Sequence, residues 1–358
     1  MEKRRFYLVL IGLLCMFAIC CSESSDIVDE EGFHTQDLLA DSVAIHEILQ
    51  PHKIWACGDD ALVFSLSSSQ MLFRYSLPDW IFVDTMGTQG EGPDDFSRFA
   101  FLLNTNRGGD LWFGDVMKPG LRRFSLTESG LDKKREVARP RGDASALGVV
   151  YNDSLIAYVV RSQDRSVLRT GSLSDSLRRI DSTACFSIGK MDIQNSASGE
   201  IVSVSVRFYN SPELRGTGDR LAVWYPDTEN LYTYRIGKDG KLLSDGIYGG
   251  ELSFETVAAH WEKNPDNPRS VRLLAVTDEH LYFFETEKDL NKKREGADVA
   301  ETKYAVLKVR DWSMNPVKKF VLDKKNATQV VIDPNNEKIY AYDPVCDFEQ
   351  VYVYDCKI

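Results

Sequence analysis

The clearest structural signal in this chain is a two-strand unit, first met as GDDALVF (residues 58–64) followed by LFRY (72–75). Each half is a short apolar or alternating run introduced by turn-forming residues, which is typical of a β-hairpin. The unit returns in closely similar form as GDRLAVW (218–224) with LYTY (231–234), and as NEKIYAY (336–342) with VYVY (351–354). Repeats of about 40–50 residues with four strands each are typical of β-propellers, because one blade cannot bury both its faces alone.

The chain contains six such units, which begin near Ile54, Phe99, Leu147, Glu200, Phe254 and Thr328. A further strand, over residues 42–49, precedes the first unit, and the last unit ends with its third strand at 351–354. Because a propeller must close its ring, we predict that the N-terminal strand pairs into the last blade. The sequence therefore predicts an all-β, six-bladed β-propeller over residues 41–358, with little helix. Two stacked β-sandwiches are the alternative, but no linker is visible near the middle of the chain.

The first twenty residues are typical of an export signal. A basic start (KRR, residues 3–5) precedes an apolar run over residues 6–19, which is shorter than the roughly 18–20 residues that span a bilayer. Two cysteines end the run, as in a bacterial lipobox. Cys21 is the better candidate for acylation, because acylation of Cys20 would place the bulky Ile19 next to the cleavage site. The alternatives are an uncleaved anchor or an ordinary signal with incidental cysteines.

Residues 21–40 predict an acidic, flexible tether between the lipid and the folded domain. The stretch up to Gly32 is polar and rich in Asp and Glu, so it has little apolar area to bury. The whole chain has a formal charge of −11, which disfavours binding to nucleic acid.

One short motif is more specific than the blades. The segment GTQGEGPDDF (87–96) combines Gly87, Gly90, Gly92 and Pro93 with an apolar Phe96 that should return the chain to the core. A phosphate-binding loop is excluded, because the segment lacks the glycine spacing and the lysine of such loops and its acidic residues would repel phosphate.

The pattern G-x-x-G-x-G-P-x-x-F at the end of the first blade resembles the TolB-like six-bladed propeller lipoproteins of the Bacteroidota. The lipobox-like start, the length and the blade rhythm fit the same family over the mature chain. The acidic run after Cys21 also resembles the surface-export signal of Bacteroidota lipoproteins, although a plain solvated linker explains it equally well. The resemblance implies a propeller fold and an envelope address, and it carries over no catalytic residues.

Two loops offer candidate ligand-binding residues. His260, Trp261 and Lys263 combine an aromatic face with polar neighbours, and Arg207 and Tyr209 form a second group. The alternative is that Trp261 packs in the core and Arg207 is a satisfied cation between blades. A charged insertion at about 286–302 is expected to be a surface loop, or a short helix that covers one end of the channel.

No catalytic constellation is recognisable. The five histidines are scattered singly and the four cysteines after the signal form no CxxC pair, so neither a metal nor another cofactor is expected. The favoured hypothesis is a lipid-anchored outer-membrane protein that acts as a binding or scaffold module for a protein or glycan partner. The alternative is a carbohydrate-active hydrolase or lyase with its site at the channel mouth.

Overall fold

The computed structural model describes residues 27–48, 51–65, 68–97, 100–105, 110–115, 117–118, 120–128, 130–138, 148–152, 154–161, 165–187, 190–194, 199, 201–205, 212–263, 267–295, 297–334, 336–345 and 347–358. The signal peptide and the predicted lipidation site, Cys21, lie outside these residues. None of the helices in the described part is both long enough and apolar enough to cross a membrane.

Six β-sheets form a ring, which confirms the predicted six-bladed propeller. Blade I consists of Pro51–Cys57, Asp60–Ser65, Gln70–Ser76 and Ile81–Thr88, which are its first to fourth strands in chain order. Blade II consists of Ala100–Leu102, Asp110–Asp115, Leu121–Thr127 and Gly130–Val137. Blade III consists of Gly148–Val150, Leu155–Arg161, Arg165–Ser172 and Arg178–Ser187, with Asn104–Thr105 added in parallel to its first strand.

The second half of the ring contains the longest strands. Blade IV consists of Glu213–Thr217, Arg220–Tyr225, Asn230–Ile236 and Leu242–Tyr248. Blade V consists of Arg269–Val276, His280–Lys293, Ala300–Asp311 and Pro316–Leu322, extended by His34–Leu38 and Ile27–Val28. Blade VI consists of Gln329–Asp333, Lys338–Asp343, Asp347–Asp355 and Asp41–Ala44. Between blades lie a hairpin (Lys190–Gln194 and Ile201–Ser205) and helix α1 (Phe254–Lys263), and a 3-10 turn (Leu173–Asp175) lies within blade III.

The ring closes as predicted. Asp41–Ala44 pairs antiparallel with Asp347–Asp355, in a register that places Val43 opposite Val351. The closing strand ends at Ala44, earlier than the expected residue 49. First and last parts of the chain are therefore held in one sheet.

The core is distributed over the junctions between blades. Six clusters of buried apolar side chains lie one at each junction, so every blade has both faces covered. Aromatic pairs join neighbouring blades, such as Trp80 with Tyr340 (ring centroids 5.3 Å apart) and Trp224 with Phe283 (4.8 Å). Edge-to-face pairs of this kind add about 0.5–1.5 kcal/mol to the burial of the rings.

The structure differs from the expected tether over residues 27–38. His34–Leu38 pairs in parallel with Pro316–Leu322, and Phe33 is completely buried. Acidic residues of this segment pair with cations of blade V. Asp29, for example, accepts a hydrogen bond from Lys319 (2.9 Å). The sequence pattern suggested a solvated linker because these charges looked unpaired, whereas pairing them with blade V lets Phe33 reach the core.

The charged insertion also differs from expectation. The second and third strands of blade V simply continue as a long hairpin through Lys293 and from Ala300, so the segment is neither an irregular loop nor a helix. The hairpin is tied to blade VI by the ion pair between Arg294 and Asp343. Helix α1 was not expected, although Ser253 and Thr256 cap its first turn reciprocally (2.8 and 3.2 Å).

Candidate ligand site in the upper channel

Loops from all around the ring gather at one end of the propeller. Because successive strands of a blade are antiparallel, the loops that join one blade to the next lie at the same end as the loops between second and third strands. We call this end the upper face. Helix α1, the loop after Ile81–Thr88 and the tip of the blade V hairpin all lie there. Propellers generally bind ligands where such loops surround the central channel.

The glycine-rich motif forms a tight loop on the upper face between blades I and II. Gly87 has a φ of +75°, and a Cβ at this position would lie 3.1 Å from the buried ring of Phe96. A Cβ at Gly92 would lie 2.7 Å from Oδ2 of Asp95, the atom that accepts a hydrogen bond from the Gly92 amide (2.8 Å). Gly90 faces the same carboxylate. The glycines are therefore required by close approach within the loop.

Side chains of blade II hold this loop in place through hydrogen bonds to its backbone. Lys118 donates a hydrogen bond to the Asp95 carbonyl (2.7 Å), and Arg122 donates to the same carbonyl (2.8 Å). Nη1 of Arg122 also lies 3.4 Å from the Pro93 carbonyl, and its guanidinium lies 4.6 Å from the centroid of the Phe96 ring. Because these cations are already bound to backbone carbonyls, the motif links blade I to blade II.

The predicted ligand-binding residues are only partly placed. His260 and Lys263 lie in the second half of helix α1 on the upper face, with His260 half-buried and Lys263 exposed. Trp261 belongs to the same helix, but its side chain lies outside what the structure describes. Arg207 and Tyr209 fall outside the described residues altogether. The five residues therefore remain a prediction.

Three cations missed by the sequence analysis lie on the innermost strands of their blades. Lys53, Arg215 and Arg272 lie on the first strands of blades I, IV and V. The first strands of blades III, IV, V, VI and I contact one another in that order and form the channel wall. Blades I and IV face each other across a ring of six, so the electrostatic influence of Arg215 on Lys53 must act across the channel.

The two arginines are held in place by the protein. Arg215 donates from Nε to the carbonyl of Leu274 on the neighbouring blade (2.7 Å). Arg272 donates from Nε to Glu213 (3.3 Å), and the other oxygen of Glu213 accepts the Leu273 amide (2.6 Å). Three cations thus share one carboxylate among the described residues, which leaves an excess of positive charge in the upper half of the channel.

Lys53 is the member of this cluster without a partner in the described part of the chain, where it forms neither a hydrogen bond nor an ion pair. Its side chain is open to the water of the channel, although protein surrounds it on the other sides. Burial lowers the pKa of Lys53, and the positive charges of Arg272 and Arg215 lower it further, although Glu213 acts in the opposite direction. Burial also lowers the pKa of Arg215. Burial is thus the main cause of both shifts, and the like charges of neighbouring cations add to it.

A half-buried carboxyl lies on the upper face of blade IV. Asp227 belongs to the loop between the second and third strands of blade IV, and burial raises its pKa to about 6. Its Oδ2 atom is enclosed and has no hydrogen-bond partner in the described residues. Within the same residues, no group of three or more His, Cys, Asp or Glu side chains could hold a metal ion.

A usable signal for the cations was present in the sequence. Lys53 lies within the strand PHKIWAC, Arg215 within ELRGT and Arg272 within RSVRLLAV. Each is a cation inside a strand that opens a blade, a position that borders the channel. The signal becomes readable only when the strand order within each blade is known, because the same residues on an outer strand would be solvated.

Sequence comparison agrees with the architecture. The profile of the family described as TolB-like 6-blade propeller-like matches residues 25–335. The chain belongs to this family. Its matched region includes Ile27–Val28 and His34–Leu38, consistent with a fold that begins before residue 41.

Two solved structures of proteins from Bacteroides species have the same fold as this chain. A Bacteroides fragilis protein assigned as exported superposes with a TM-score of 0.52 at 10% identity, over 89% of this chain and 98% of the other. A member of the DUF4221 family from Bacteroides vulgatus superposes with a TM-score of 0.51 at 9% identity, over 89% and 97%. At these identities the similarity shows the fold alone. No curated protein matches the chain by sequence.

Proposed function

We propose that this propeller is an exported, lipid-anchored binding module of the outer membrane, and that it holds its ligand in the upper channel. The export signal, the lipobox-like Cys21 and the similarity to a protein assigned as exported support the address. The partner is a glycan or a protein segment narrow enough to enter the mouth of a six-bladed ring.

The observation that supports a binding role is that Lys53, which faces two anchored arginines of the channel wall, has no hydrogen-bond or ion-pair partner among the described residues. A charged group that is partly removed from water without a partner lowers the stability of a fold, unless a ligand completes the site. The three cations lie on strands of a rigid scaffold, so little ordering is needed when a ligand binds.

A ligand screen tests the proposal. The full-length protein, purified in detergent, is heated with a panel of envelope glycans and short peptides, and the midpoint of unfolding is recorded for each. A ligand at one hundred times its dissociation constant stabilises the folded state by about 2.7 kcal/mol. We expect at least one compound to raise the midpoint for the natural protein and not for the Lys53→Gln, Arg272→Gln double variant. Equal stabilisation of both proteins would place the binding site elsewhere.

The anchor is tested separately. Growth with a radiolabelled fatty acid is expected to label the natural protein and to leave the Cys21→Ser variant unlabelled, with Cys20→Ser as the matched control. Labelling of Cys21→Ser, or loss of label in Cys20→Ser, would contradict acylation at Cys21.

A further inference from the structure

The upper channel contains more positive charge than its own described residues can balance. The cluster of Lys53, Arg215, Arg272 and Glu213 has three cations and one carboxylate, whereas the whole chain carries a formal charge of −11. The positive charge of this cluster therefore does not follow from the overall composition of the chain, which is acidic. It contrasts with the charged pairs of the surface, where most described lysines and arginines lie beside Asp or Glu.

The donor groups of the cluster suit an oxyanion. Arg272 uses Nε for Glu213, and its two Nη groups form no other hydrogen bond among the described residues. The planar guanidinium presents paired donors that match a carboxylate or a phosphate, and the Lys53 ammonium adds a mobile charge from blade I. Arg215 is fixed by the carbonyls of Leu274 and Leu214 (both 2.7 Å) and contributes a stationary positive charge.

We propose that the upper channel binds the carboxylate or phosphate group of a small anionic ligand, with Lys53 and Arg272 as the contacting residues and Arg215 as a fixed charge behind them. This inference rests on the proposed function and names the chemistry of its ligand. A free sugar acid and a phosphorylated sugar both carry such a group.

The experiment measures binding of simple anions to the full-length protein. Glucuronate, glucose 6-phosphate and inorganic phosphate are titrated at low ionic strength by calorimetry, with uncharged glucose as the control. We expect one or more of the anions to bind and glucose not to bind. Binding should weaken as sodium chloride is raised, because salt screens the attraction. The carboxylate and phosphate arms identify which oxyanion the site prefers.

Matched variants locate the site. Lys53→Gln and Arg272→Gln are each expected to weaken anion binding about tenfold or more, while Lys53→Arg should retain it. Lys238→Gln removes the same charge from an exposed turn of blade IV and should leave binding unchanged. If Lys53→Gln unfolds the protein, the Lys53→Arg variant and the salt series still decide the question.

The possible failures have different meanings. Binding of glucose as tightly as glucuronate, or anion binding that survives in Lys53→Gln, would overturn the proposed chemistry of the site. Absence of any anion binding, together with stabilisation by a neutral compound that needs Lys53, would overturn this inference and leave the proposed binding function intact. Absence of stabilisation by every compound would count against both.

Discussion

Two groups of cations in this propeller differ in how far nearby carboxylates neutralise them. On blade V, Lys308 is buried but contacts both Glu285 (3.0 Å) and Glu31 (2.6 Å). In the upper channel, Lys53 has no such partner in the described residues. The fold can therefore neutralise a buried cation where stability requires it. A channel charge that the described residues of the same protein leave unpaired points to a ligand.

The blade V network also explains why the N-terminal segment belongs to the fold. Glu285 accepts hydrogen bonds from Arg269 (2.8 Å) and Tyr304 (2.8 Å) in addition to Lys308. Glu31, in the turn between the two N-terminal strands, accepts a hydrogen bond from Lys308. The guanidinium carbon of Arg310 lies 4.7 Å from the centroid of the Phe33 ring. The N-terminal segment is thus bound to blade V and forms part of the folded domain.

The largest expected loss of stability follows from removing the Glu285 carboxylate at the centre of the blade V network. Glu285→Gln leaves Arg269 and Lys308 without the negative charge they share, and breaking such a buried ion pair costs about 3–5 kcal/mol. We expect a loss of about 3 kcal/mol in the free energy of unfolding, measured by urea denaturation, because Glu229 and Glu31 still neutralise part of the charge. Glu251→Gln, on an exposed residue, is the control. A change below about 0.5 kcal/mol would show that the network is not structural.

The same carboxylate should govern acid stability. Burial opposes ionisation of Glu285, but hydrogen bonds from Arg269, Tyr304 and Lys308 lower its pKa to about 2. A carboxyl whose pKa is lower in the folded state stabilises the fold above its unfolded pKa, near 4.5, and this contribution is lost as the pH falls toward about 2. We expect at most about 3 kcal/mol to be lost over this range. Glu285→Gln should lack the corresponding step, and an unchanged pH profile would contradict the assignment.

Asp227 offers a smaller effect of opposite sign. Its pKa is raised to about 6 by burial, so the folded state prefers the protonated form and stability falls as the pH rises from about 4 to about 6. At pH 7 the ionised group is destabilising, and Asp227→Asn should raise the free energy of unfolding by about 1 kcal/mol, because partial exposure screens the charge. The variant and the natural protein should converge below about pH 4. A destabilised variant would mean that the carboxylate has a partner.

Much of the fold could be predicted from the sequence because its determinants are local. The turn residues before Ala61 and Leu221 and the apolar runs after them specify hairpins, and closure of the ring required a strand before residue 51. The pairing of Asp29 with Lys319 could not be predicted, since these residues are 290 positions apart and ordinary in composition. The channel cations were missed for the same reason. Lys53 and Arg215 influence each other electrostatically only because the ring places blades I and IV opposite each other.

The smallest expected effect concerns the stability contribution of Lys53 itself. The pKa of Lys53 is lowered in the folded state, so the folded protein binds this proton less tightly than the unfolded chain. The penalty is fully present below the folded pKa and disappears as the pH rises toward the unfolded value of about 10.5. At pH 7 and low salt, Lys53→Gln should therefore be as stable as the natural protein or more stable, by at most about 0.5–1 kcal/mol because water screens the channel.

This result would separate a ligand-binding lysine from a structural one. A structural lysine resembles Lys308, whose replacement should destabilise the fold because Glu285 would lose a partner. If Lys53→Gln lowers stability as Lys308→Gln does, Lys53 has a counter-ion within the protein and the contrast between the two regions fails. If it leaves stability intact while anion binding is lost, the positive charge of Lys53 in the channel is reserved for a ligand.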